Sequence, residues 1–129
     1  FEVDVVALEL GRQGEVSLAL GECRSGRGFT DRDVERLERI AERLRAIGVK
    51  TDLLFATLRD DFDADEVERF RDLRDRERIG ERILPRPPIL LTRRDLETTW
   101  FAATQERFHG HGRGELARFA AASDSVYLQ

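Results

Sequence analysis

The stretch from Val3 to Cys23 narrows the fold of this chain more than any other, because it reads as two apolar strands around one Gly-bearing turn. The segments Val3 to Leu10 and Glu15 to Cys23 are joined by Arg12-Gln13-Gly14, which suits a three-residue hairpin loop with Gly14 in the left-handed position. In that register Gly11 faces Glu15, Asp4 comes opposite Glu22, and Glu2 comes opposite Arg24. Val6, Leu8, Leu10, Val16, Leu18 and Leu20 share the face of the two acids, since side chains of a strand alternate with period two. The other face carries Ala7, Ser17, Ala19, Gly21 and Cys23, small residues that let a further layer approach closely and would bury the Cys23 thiol. A two-residue loop would slip the pairing by one and part the acids, so the register is the point on which the reading turns.

Helix signals follow. Thr30-Asp31-Arg32-Asp33 resembles a capping box in which Asp replaces Glu, and Val34, Leu37, Ile40, Ala41, Leu44 and Ile47 form one apolar stripe that Gly48 ends. Asp52 to Leu58 reads as a third strand buried on both faces. Asp63 with Glu66 opens a second helix with the stripe Val67, Phe70 and Leu73, and the charged run Arg71 to Arg82 ends or frays it. Pro85, Pro87 and Pro88 mark an extended connector into a short strand, Ile89 to Leu91, and Thr92 to Asp95 is a further helix start. An aromatic segment, Trp100 to Phe108, and a Gly-rich loop, His109 to Gly114, precede a last helix from Glu115 to about Leu128. The order β-β-α-β-α-β-α-α predicts a single α/β domain over 1–129, a mixed sheet opening with a hairpin and flanked by helices.

Charged residues make up 37% of the chain, and because their signs alternate along the helices they describe a solvated, salt-bridged surface. A net charge of -4 argues against a globally basic nucleic-acid binder, which leaves a local arginine patch as the route to a polyanion. Cys23 is the only cysteine, so an intrachain disulfide and a cysteine-rich zinc site are excluded, and a reducing, cytoplasmic setting is expected. No apolar run approaches a membrane span, so no membrane partner is expected. The chain opens directly in strand-like sequence, which reads as a piece of a longer protein with room for upstream domains or a homodimer.

Asp4 and Glu22 carry the chemistry. Like charges directly opposite on paired strands cost up to about 1 kcal/mol, so a positive partner is called for, either a metal ion or an arginine. Mg²⁺ takes one or two carboxylates, keeps several waters and binds substrate phosphate, and Asp4, Glu22 and the Cys23 carbonyl make such a donor set. Arg24, two residues after Glu22, points to the same face, where a cation orients water and stabilises developing negative charge. The same residues also fit two solvated strand-end acids with Arg24 paired to Glu2 or Glu22.

Glu2-Val3-Asp4-Val5-Val6, then Gly21-Glu22-Cys23-Arg24-Ser25, then a capped amphipathic helix and an apolar strand, resembles the PD-(D/E)XK nuclease superfamily. The resemblance covers the first half of the chain by motif and the remainder by order of elements. It implies a restriction-endonuclease-like fold and Mg²⁺- or Mn²⁺-dependent hydrolysis of DNA, with Asp4 and Glu22 as metal ligands. Arg24 stands where the family has Lys; it supplies charge but does not deprotonate, so the resemblance also admits a domain that binds nucleic acid or protein without catalysis. Lys50, the only lysine, is the other cation that could substitute. Arg27 and Arg32, with Arg24, Arg36 and the glycines 26 and 28, are expected to form a phosphate-facing rim. His109 and His111 offer two metal-binding side chains, and Trp100, Phe101 and Phe108 offer stacking surfaces for bases or core for the sheet.

Overall fold

The hairpin is present in the expected register. In the computed structural model of the protein, which describes residues 3–11, 13–78, 87–96 and 115–129, β1 (Val5–Leu10) pairs antiparallel with β2 (Val16–Arg24). Val5 faces Gly21 and Leu10 faces Val16, the turn closes through the Gly11 N–H donating to the Glu15 carbonyl at 2.7 Å, and Gly14 takes φ +83°. Helix α1 (Asp31–Ala46) leads to β3 (Lys50–Thr57), parallel to β2, and α2 (Ala64–Arg78) precedes β4 (Ile89–Leu91), parallel to β3. A single 3-10 turn, Arg93–Leu96, and helix α3 (Glu115–Tyr127) complete the described elements. The sheet order is β1-β2-β3-β4, a mixed α/β architecture. The aromatic segment 100–108 and the loop 109–114, with its two histidines, lie outside the described residues.

Two layers cover the sheet. On one face Leu20, Leu53, Phe55 and Leu90 meet Val34, Leu37 and Ala41 of α1 and Phe70 and Leu73 of α2, and Phe29, Phe55, Phe62 and Phe70 form a ring cluster with centroids 4.9 to 6.5 Å apart. On the other face Ala19 and Ile89 meet Ala120 of α3, with Ala7, Leu54, Leu91, Leu116 and Phe119 around them. The small-residue face of the hairpin thus receives the closely packed helix that its composition called for. Cys23 departs from that expectation. Its place on β2 lies beyond the first residue of β1, so on that side it meets Asp4 in place of a paired strand residue, and the thiol-bearing residue is exposed.

The apolar stripe of α1 also stops short, with Ile47 at the C-cap 76% exposed and Gly48 at φ +88° ending the turn. Because α1 packs over β2 and β3, the outer strand β1 keeps Val6, Leu8 and Leu10 at 60, 69 and 77% exposure. The opposite edge is closed. Ser123 of α3 accepts a hydrogen bond from the Leu90 N–H at 2.7 Å and donates to the Leu90 carbonyl at 3.1 Å, which occupies the side of β4 that no strand pairs among the described residues. Tyr127 adds a second tie, donating to Asp95 at 2.6 Å beside Thr92; burial first, and then this bond, pushes the phenol well above its ordinary range.

Glu66 fastens the first loop to the second helix. It is buried, accepts hydrogen bonds from the Phe29 N–H at 2.9 Å and the Asp63 N–H at 3.0 Å, and pairs with Arg59. Asp63 returns a bond from the Glu66 N–H at 2.9 Å, so the capping box of α2 doubles as the anchor for the loop that enters α1. A Cβ added at Gly28 would come within 3.0 Å of the Glu66 carboxyl carbon, which explains a glycine there. Glu66→Ala should therefore lower unfolding free energy by about 3 kcal/mol, the cost of leaving two N–H groups and the partly buried Arg59 guanidinium without their acceptor. Urea unfolding checks this, and a loss below about 1 kcal/mol would mean that the loop is held elsewhere.

Candidate functional site

The site lies at the carboxyl end of β2, under the first turns of α1. Residues 20, 22 and 24 of β2 face the α1 layer, and because the helix returns antiparallel to the strand its N-terminus stands over Glu22 and Arg24. The Thr30 capping box forms as expected. The Asp33 N–H donates to the Thr30 hydroxyl at 3.3 Å, and the Asp33 carboxylate accepts from the Thr30 N–H at 2.8 Å and its hydroxyl at 3.0 Å.

Asp4 lies in a bend one residue before β1, outside the paired register. Its N–H donates to the Gly21 carbonyl at 3.1 Å and its Oδ2 accepts from the Cys23 N–H at 3.0 Å, so the carboxylate terminates the hairpin beside Glu22. Asp4 is exposed and Glu22 is only 4% exposed, so the pair divides into one wet and one buried acid. Glu22 Oε1 is held by Arg36 Nη2 and, at 3.4 Å, by Arg24 Nη2. Arg24 Nη2 also reaches Asp33 Oδ1, which closes a Glu22–Arg24–Asp33 chain between strand and helix. Glu22 Oε2 and Arg24 Nε are buried with no hydrogen-bond partner among the described residues.

Burial pushes the Glu22 carboxyl above the ordinary value of 4.5; Arg36 and Arg24 pull it down and Asp33 and Asp4 push it up by lesser amounts. Burial also acts upward on Asp33, but the Thr30 bonds and then Arg24 outweigh it and hold that acid below the ordinary range. Partial loss of water, and then the charges of Asp4 and Glu22, push the Cys23 thiol up, which keeps it protonated and unreactive at neutral pH.

The other expected residues separate. Arg27, in the loop after β2, and Arg32, in the first turn of α1, are exposed and show no hydrogen bond or ion pair among the described residues, so they stand free at the rim. Lys50 pairs with Ser17 at the far end of β2, five positions from Glu22 or about 16 Å at strand rise, and cannot serve this site. Arg36 and Asp33 are the partners that strand pairing alone could not supply. Their signal was a spacing of three on α1 with Asp33 in the capping position, which lays both over one end of the sheet.

Among the described residues no three His, Cys, Asp or Glu side chains converge on a metal position. The donor set still suits one hard divalent ion that keeps most of its water: Glu22 Oε2 has no partner among the described residues, Asp4 has a second carboxylate oxygen, and the Cys23 carbonyl points to the β1 side by alternation from Arg24, whose carbonyl accepts from Leu58, just after β3, at 3.0 Å.

Because native Glu22 holds its proton more tightly than the unfolded chain does, its favourable contribution is present below pH 4.5 and is lost as pH rises through its folded value. Urea midpoints of the wild type and Glu22→Gln should therefore diverge in favour of the variant as pH rises from about 4 to about 7. A difference moving toward the wild type would mean that the arginines outweigh burial. Comparison with family models, curated proteins and solved structures returns no match for this chain, so the site is read from its own geometry.

Proposed function

We propose that this chain is a restriction-endonuclease-like domain that hydrolyses phosphodiester bonds in DNA with Mg²⁺ or Mn²⁺. The observation that carries the reading is the placement of the Asp4 carboxylate, held by the Cys23 N–H, beside Glu22 at a strand end that also gathers Arg24 and Arg36. A bound divalent ion would polarise the phosphate and acidify a water for attack at phosphorus. Asp4, Glu22 Oε2 and the Cys23 carbonyl are the atoms that would hold it. Arg24, fixed by Asp33, places positive charge beside the phosphate oxygens where charge grows as water adds and the bond to the sugar oxygen breaks. Arg27 and Arg32 at the rim supply backbone contacts outside the reacting centre, and their share of the affinity falls as salt is raised.

A second reading is favoured by one specific observation. The Arg24 guanidinium is engaged by both Glu22 and Asp33 and accepts no proton, so it serves the charge-stabilising part of the lysine's role and not a base's part. On that reading the domain binds nucleic acid or protein through the same surface and cleaves nothing.

Cleavage of single- and double-stranded DNA with Mg²⁺ or Mn²⁺ separates the two. The nuclease reading expects cleavage that falls by about a hundredfold or more in Glu22→Gln and in Asp4→Asn, as loss of a ligand to an essential metal does. It further expects Arg24→Lys to cleave at least as well as the wild type. Binding to DNA that weakens steeply with salt, with no cleavage by the wild type or by Arg24→Lys, would establish the binding module in its place.

A further inference from the structure

Arg36 and Arg24 hold the same oxygen of Glu22 but are held differently themselves. Arg24 is tied to Asp33 as well as to Glu22, and its side chain is 22% exposed. The Arg36 side chain is 42% exposed, and Glu22 is the one partner shown for it among the described residues. One arginine is therefore part of the wall, and the other is free to swing outward from α1 into water or onto a ligand. Both lie over a carboxylate whose second oxygen, Oε2, is buried and meets no donor.

The geometry points to Arg36 as a resident counter-cation that occupies Glu22 until a phosphodiester backbone draws it away, so that metal ion and nucleic acid load the site together. The inference rests on the nuclease reading for its metal. With Arg36 in place, a divalent ion approaching Glu22 meets three carboxylates, Asp4, Glu22 and Asp33, already opposed by two guanidinium groups. Phosphate offers Arg36 a doubly charged-assisted contact in exchange for the one it leaves, and guanidinium matches phosphate geometry well. Once Arg36 turns outward, Glu22 is opposed by Arg24 alone, carries more of its charge toward the metal position and becomes the stronger metal ligand. Coupling of this kind is reciprocal, so whatever the polyanion adds to metal affinity the metal adds to polyanion affinity. Arg36 is thus a positioning residue, acting on the reaction through Glu22.

Two measurements without turnover test it. In the first, free Mn²⁺ is titrated by electron paramagnetic resonance with no DNA present. Arg36→Gln should bind Mn²⁺ about tenfold more tightly than the wild type, Arg36→Lys should stay near the wild type because the charge remains, and Glu22→Gln should lose the site. In the second, a short labelled duplex is titrated by fluorescence anisotropy in EDTA. Glu22→Gln should bind the duplex more tightly than the wild type because Arg36 is released. Arg36→Gln should then cost several-fold more affinity in the Glu22→Gln background than in the wild type, a non-additivity that marks direct competition. Unchanged or weaker Mn²⁺ binding in Arg36→Gln, with the site still lost in Glu22→Gln, would overturn the role of Arg36 and leave the nuclease reading standing. Additive effects on duplex binding would overturn it likewise. No Mn²⁺ site in any variant, Arg36→Gln included, would remove the nuclease reading and this inference together.

Discussion

A carboxylate on the inward face of a strand, with almost no contact with water, has to be compensated from within the protein, and Glu22 is such a group. Its compensation comes from two directions: Arg24, two residues along the same strand, and Arg36, from the helix above. Arg24 in turn is shared with Asp33, and Asp33 is also the acid that closes the cap of α1. The charge of one strand residue therefore determines where the first helix begins and how it lies on the sheet. Loosening any member leaves another buried charge or donor unmatched, which is why strand end and helix start behave as one unit.

Glu66 repeats the device on the far side of the same loop. It takes the Phe29 N–H, caps α2 and neutralises Arg59, so residues 25–29 run between two buried glutamates. The loop's ends are firmly tied while its middle, with Gly26 and Arg27, stays exposed. That combination suits a rim that meets an extended polyanion: the scaffold positions a few charges and leaves the contact surface solvated. Site and fold share their polar groups here, because the carboxylates that hold the helices in place are the same ones that face the rim.

Much of this was legible in the chain. The hairpin register followed from Gly14 and the loop length, and both helix caps followed from acids placed three residues after Thr30 and Asp63; Asp4 comes near Glu22 as the hairpin implied, but from a bend before β1 and through a bond from the Cys23 N–H. These are local relations, governed by period, turn chemistry and capping over a few residues. Where local pattern misled, a missing neighbour was the reason. Cys23 sits on the small-residue face by parity yet is exposed, because β1 has already ended opposite it. Ile47 continues the stripe of α1 by spacing yet projects into water, because the helix ends there at its C-cap.

Pattern and parity, then, were enough to determine the α/β order, the hairpin, the two capped helices and the nearness of the two acids, since each depends only on residues close in sequence or across one tight turn. Tertiary structure alone decided which cations answer those acids. By sequence Lys50 is a substitute cation of little weight and Arg36 a residue of the rim; the parallel β2–β3 register carries Lys50 to the far end of the sheet, and the antiparallel return of α1 brings Arg36 onto Glu22. It also decided that Glu22 is buried while Asp4 is wet, because α1 covers β2 and leaves β1 at the open edge. Burial and long-range charge pairing depend on how layers stack, and stacking is a property of the packed whole.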